Sequence, residues 1–86
     1  MTTLTINFFA SLREELGASG ETLPLPEQVT NIAQLVDYLV GIRGERWAAL
    51  QDNSRVLVAV DHTIVPRSHA LRGGEEVAFF PPMTGG

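Results

Sequence analysis

With 86 residues, 44% of them hydrophobic and 19% charged, the chain can bury one modest core and is too apolar to be a disordered segment. A formal net charge of −4 argues against a nucleic-acid partner, because that binding is driven by basic patches. The absence of cysteine excludes disulfides, thiolate catalysis and cysteine-held metal.

Taken in order, Leu4-Thr5-Ile6-Asn7-Phe8-Phe9 alternates apolar and polar side chains and predicts a first strand. Leu4, Ile6 and Phe8 share one face. Phe9 falls on the polar face, where a large aromatic is either covered by the next segment or left as part of a docking patch. Ala10 to Leu16 predicts a short helix, with Ser11 as its cap, Glu14 at capping-box spacing and Gly17 as its C-terminal stop. Glu21 to Pro26 predicts a strand that its prolines confine to a sheet edge. Thr30 or Asn31 caps the principal helix. Its apolar residues Ile32, Leu35, Val36, Leu39 and Val40 form one stripe, and Gly41 or Gly44 ends it. Arg46 to Leu50 reads as one extra turn, with Trp47 at the core edge. Arg55 to Val60 is a nearly continuous apolar strand. Asp61-His62 turns the chain into a short strand over Thr63 to Val65, and Arg72 to Glu75 is a tight turn. Glu76 to Phe80 is the last strand. Val77 and Phe79 lie on one face, with Ala78 and Phe80 on the other.

This order predicts an α+β fold with one principal helix across one face of a mixed sheet of about five strands. It fits the ubiquitin-like β-grasp pattern, with the first and last strands central and parallel. We expect a domain over residues 1–80 and an extended tail over residues 81–86. No apolar run reaches membrane-spanning length, and Met1-Thr2-Thr3-Leu4 carries no signal-peptide pattern, so the expected location is cytoplasmic with no membrane partner.

Little in the chain can catalyse. His62 and His69 sit in predicted loops without a ligand cluster, so no metal is expected. The pairs Glu14-Glu15 and Glu75-Glu76 are adjacent in sequence and point apart. No serine stands in an elbow motif, and Gly73-Gly74 lacks the lysine and helix of a phosphate loop. The group that remains is the carboxylate of Gly86. Phe80 runs into Pro81-Pro82, a stiff stem, and then through Met83 and Thr84 to Gly85-Gly86, a slim tip that fits a slot too narrow for a Cβ. This is the form of a terminus made to enter another protein's active site. A carboxylate is a poor electrophile until adenylation supplies a leaving group, so an activating enzyme is required.

The residues Phe8-Phe9-Ala10, Arg13-Glu14, Gly17, Arg46-Trp47-Ala48, Val58-Ala59-Val60, Thr63 and, above all, Glu76 through Gly86 resemble the small, sulfur-carrier subunits of molybdopterin synthases. The resemblance spans nearly the whole chain. It implies that an ATP-dependent enzyme, using ATP and magnesium that this chain does not itself bind, adenylates Gly86. Gly86 then becomes a thiocarboxylate. The tail, Gly85 included, enters the large synthase subunit, whose residues act on a cyclic pyranopterin monophosphate. The implied assembly is a heterotetramer around a large-subunit dimer. The patch implied to meet the activating enzyme is Phe9, Ile64 and Phe80, with Arg13 as an added polar contact, and the implied partner-binding residues of the tail are Pro81, Pro82, Met83 and Thr84. A chain without cysteine can then hold sulfur only at its terminus. Other uses of the same terminus are protein modification through isopeptide bonds, or sulfur supply to another product such as thiamine.

Overall fold

The computed structural model describes residues 2–52 and 54–82. Period-two patterning produces the sheet. In β1 (Thr3–Phe8) Leu4, Ile6 and Phe8 are buried and the residues between them are not. After α1 (Ser11–Leu16), β2 (Gly20–Pro24) pairs antiparallel with β1, placing Leu23 opposite Leu4. The strands β3 (Leu57–Val60), β4 (Thr63–Ile64) and β5 (Glu76–Phe80) complete a five-stranded sheet in the order β2-β1-β5-β3-β4. The proline-bearing β2 is an edge, as expected. β5 lies in the middle, parallel to β1 on one side and antiparallel to β3 on the other. This is the ubiquitin-like β-grasp arrangement, with β1 and β5 both internal.

The principal helix, α2 (Ile32–Arg43), runs past Gly41 and stops at Gly44, which has φ 100°. Its stripe of Ile32, Leu35, Val36 and Leu39 is buried in one apolar cluster with Leu4, Ile6, Phe8, Val58, Val77 and Phe79. No polar or charged side chain is buried among the described residues. Asn31 is the cap, its side-chain oxygen accepting the Gln34 N–H at 2.8 Å, while the Gln34 side-chain oxygen accepts from Thr30 N–H and its hydroxyl. Two further helix-start donors are met by a strap over residues 66–71: Ile32 N–H donates to the His69 carbonyl and Ala33 N–H to the Arg67 carbonyl. The half-buried Arg67 guanidinium then donates to the carbonyls of Leu50 and Val56, tying the strap to the 3₁₀ helix over Glu45–Gln51 and to the approach to β3. Trp47 lies deeper than the core edge. It is only 5% exposed and meets Phe8 edge-on, with ring centroids 5.1 Å apart.

Several expectations are corrected. Ser11 is the first residue of α1 and caps nothing. The capping position is Ala10, at φ 55° and ψ −134°, with no side-chain hydrogen bond. β1 ends at Phe8, because the chain turns sharply at Ala10. β2 spans Gly20–Pro24, since Pro26 cannot donate to a ladder. β3 begins only at Leu57, because Arg55 and Val56 donate their N–H groups to the Asp52 carbonyl in a turn. β4 stops at Ile64.

Candidate functional site: the uncovered sheet face and the root of the tail

Alternation places Leu57 and Ala59 of β3, Ala78 and Phe80 of β5, and Asn7 of β1 on the face opposite α2. The pairing register turns that into a surface. Ile64 lies opposite Ala59, Ala59 opposite Ala78 and Ala78 beside Asn7; in the next row Leu57 lies opposite Phe80. Phe9 stands one residue beyond the Phe8–Phe79 pair and donates its N–H to the Phe79 carbonyl at 3.1 Å. The result is an apolar strip, two alanines at its middle, with Ile64 at one end and Phe80 and Phe9 at the other. Phe9 is 48% exposed and Ile64 63%, while Phe80 is half-buried. Of the two readings open for Phe9, cover by the next segment is therefore ruled out. Toward the start of β5 the face becomes polar: Glu76 lies beside Thr5, and its carboxylate is 3.5 Å from the His62 ring.

β5 carries the tail. It is flanked on both sides up to its last residues, so the root of the stem is held in the centre of the sheet. Pro81 is half-buried and Pro82 exposed, and both line a groove with Leu12, Glu15, Ser54 and Arg55. Arg55 and Glu15 approach within 3.9 Å across it. Asp52, at the turn behind this groove, accepts from the Ser54 hydroxyl at 2.6 Å and the Ser54 N–H at 3.0 Å, and these bonds hold its carboxyl below the ordinary value. Arg13 projects from the exposed side of α1, with no carboxylate among the described residues within 4.0 Å of it. Met83, Thr84, Gly85 and Gly86 lie outside the described residues. The fold thus brings Phe9 and Phe80 to adjacent positions and puts Ile64 on the same face, two strands from Phe80. Arg13 is set apart on α1.

Sequence reasoning missed Leu57 and Ala59 as members of this surface. The signal was present: a strand with one solvated face alternates, and Val56 through Val60 does not. Among the described residues no group of three or more histidines, acids or cysteines is placed to hold a metal, and no helix is long and apolar enough to cross a membrane.

Residues 6–86 match the ThiS family. The chain belongs to that family. Its ThiS-family match takes in both the strip and the diglycine, and runs to Gly86. The chain is 36% identical over 83 residues to the molybdopterin synthase sulfur carrier subunit of Haemophilus influenzae, covering 96% of this chain and 99% of that relative. Its fold matches the putative molybdopterin converting factor subunit 1 of Pyrococcus furiosus, with a TM-score of 0.75 at 22% identity, over 96% of this chain and 100% of that one. It also matches a chain in the solved complex of subunits 1 and 2 of the molybdopterin-converting factor from Helicobacter pylori, with a TM-score of 0.64 at 13% identity, over 98% of this chain and 99% of that one. This ThiS-family chain thus shares its architecture with a protein solved bound to a second subunit.

Proposed function

We propose that this chain is the sulfur carrier of molybdenum cofactor biosynthesis. The observation that carries this reading is the end-to-end similarity to a relative named for that role, running over 96% of this chain and 99% of the relative. In the proposed cycle a Gly86 carboxylate oxygen attacks the α-phosphorus of ATP on an activating enzyme. Pyrophosphate leaves and an acyl-adenylate forms. Hydrosulfide-level sulfur adds to the acyl carbon, the acyl–phosphate bond breaks and AMP departs, leaving a thiocarboxylate. Inside the large synthase subunit that sulfur passes to a cyclic pyranopterin monophosphate, and hydrolysis returns the carboxylate. The catalytic groups belong to the partners, which stabilise charge and supply ATP and magnesium. This chain contributes the acyl group, the stem of Pro81, Pro82, Met83 and Thr84 that delivers it, and a docking face of Phe9, Ile64 and Phe80 with Arg13 at its flank. The assembly is a heterotetramer, two carriers flanking a large-subunit dimer.

Two features support the division of labour. The stem springs from the central strand, so the domain presents it from a rigid base. The apolar strip lies on the side of the sheet away from α2, and Phe9 beside the tail root stands open to a partner. Removing Gly86 tests the mechanism. The shortened chain is expected to fold and bind the large subunit normally and to transfer no sulfur in a reconstituted synthase assay. Continued synthesis would sink the reading. Intact-mass measurement with thiol alkylation of the chain purified from cells tests for the thiocarboxylate itself. Loss of molybdoenzyme activity without loss of protein conjugates, in cells lacking the chain, separates sulfur transfer from protein modification.

A further inference from the structure

Three non-glycine residues among those described have positive φ: Ala10 at 55°, Asp61 at 49° and His62 at 73°. In the β3–β4 turn the strain is offset inside the molecule. Asp and His enter this region more readily than most residues, Asp61 Oδ1 accepts the Glu76 N–H at 3.0 Å, and the Asp61 N–H donates to the Glu76 carbonyl at 2.9 Å. Ala10 is different. Its ψ of −134° takes it out of the left-handed helical well and into the first central position of a type II′ turn, closed by the Leu12 N–H on the Phe9 carbonyl at 3.2 Å. Glycine is the residue that fits there. The Ala10 side chain is exposed, so its methyl adds nothing to the core. Glycine would make the same backbone bonds without the strain. A Cβ that costs strain and stands exposed, outside the core cluster, points to a contact outside the chain.

Its position says where. β1 and β5 run parallel with Phe8 opposite Phe79, the Phe9 N–H donates to the Phe79 carbonyl, and two residues past that pair the chain turns at Ala10 after one strand and enters the stem at Pro81 after the other. A protein that covers the exposed Phe9 at the root of the stem has Ala10, the next residue, within reach. Arg13, Glu14 and Ser19 line a shallow recess with it, so the turn is approachable from the side of α1 as well.

We propose that the Ala10 methyl is a contact residue for the protein that takes the tail, filling an apolar notch in the lip of that partner's tail channel. The inference rests on the functional reading above, in which two proteins take the tail, and it commits to the large synthase subunit as the one that meets Ala10. Ala10→Gly separates strain from contact because the two move oppositely. Its thermal midpoint is expected to rise by about 4–8 °C as strain is released. Its affinity for the purified large subunit, by calorimetric titration, is expected to fall about fourfold, the worth of one buried methyl. Ala10→Ser keeps the Cβ and is expected to bind more tightly than Ala10→Gly. A glycine variant that melts no higher than wild type, or binds as tightly, overturns the proposal, as does a serine variant that binds as weakly as glycine. Phe9→Ala in the same titration tests the docking face separately. Loss with Phe9→Ala and none with Ala10→Gly removes only the role of Ala10, whereas a wild-type chain that does not bind the large subunit removes the functional reading and this inference together.

Discussion

The chain contains two Phe-Phe pairs on adjacent parallel strands, Phe8-Phe9 and Phe79-Phe80, and the fold treats the two members of each pair in opposite ways. Phe8 and Phe79 point toward α2, stack with centroids 5.8 Å apart and are essentially sealed from solvent. Phe9 and Phe80, one residue on, fall on the other face, where Phe9 is exposed and Phe80 half-covered. Composition and local propensity are the same for all four. What differs is only the side of the pleat, and on one side a helix supplies the rest of the core. One face therefore converts aromatic surface into stability, and the other keeps it available for recognition.

The largest expected effect tests the closed face. Phe79→Ala should cost about 3–5 kcal/mol, since it leaves a cavity against Phe8 and α2. That is a large share of the roughly 4–13 kcal/mol expected for a chain of this size, so guanidinium denaturation should find the variant barely folded. Next is Arg67→Ala on the same side of the molecule. Removing the guanidinium strands the Leu50 and Val56 carbonyls, for an expected loss of about 2–3 kcal/mol. Burial already lowers the proton affinity of this guanidinium, and the Asp52 carboxylate acts against that.

On the open face, Phe9→Ala and Ile64→Ala should each change stability by less than about 1 kcal/mol while weakening large-subunit binding by roughly tenfold or more. If Phe9→Ala proves as destabilising as Phe79→Ala, the division between the two faces is wrong. The smallest effect belongs to neither face. Asp52 has its carboxyl lowered by Ser54, so the ionised form is favoured in the folded chain. Its contribution is present above the unfolded carboxyl value of about 3.9 and fades as pH falls through the lower folded one. Asp52→Asn is expected to lower the thermal midpoint slightly at pH 7 and not at all below the folded value. A midpoint difference that persists in acid would show that the turn, and not the charge, is responsible.

Elements with a strong local period are legible in the amino-acid order alone. The α2 stripe, the faces of β1 and β5, and the edge placement of β2 all follow from side-chain spacing or from proline chemistry. Elements defined by what the chain meets elsewhere are not. Ser11 looks like a cap because serine followed three residues later by glutamate fits the pattern, yet the turn after Phe9 moves the cap to Ala10. Arg67 looks like a loop arginine. It becomes a staple only when α2, the 3₁₀ helix and the approach to β3 converge on it. Leu57 becomes partly exposed surface, and Ala59 a nearly covered member of the same face, because β4 and β5 pair with β3 in that register.

By itself the sequence decided the chemistry this protein has to work with: no thiol, no lysine, no nucleophile–base pair, and a slim diglycine after two prolines. Those are properties of covalent composition and local backbone restriction, which need no partner segment to exist. Only the tertiary structure decided where that equipment is mounted. Phe9, Ile64 and Phe80 lie far apart in sequence, and nothing short of the non-local pairing of β1, β5, β3 and β4 could place them on one face, Phe9 and Phe80 at the root of the stem and Ile64 two strands away.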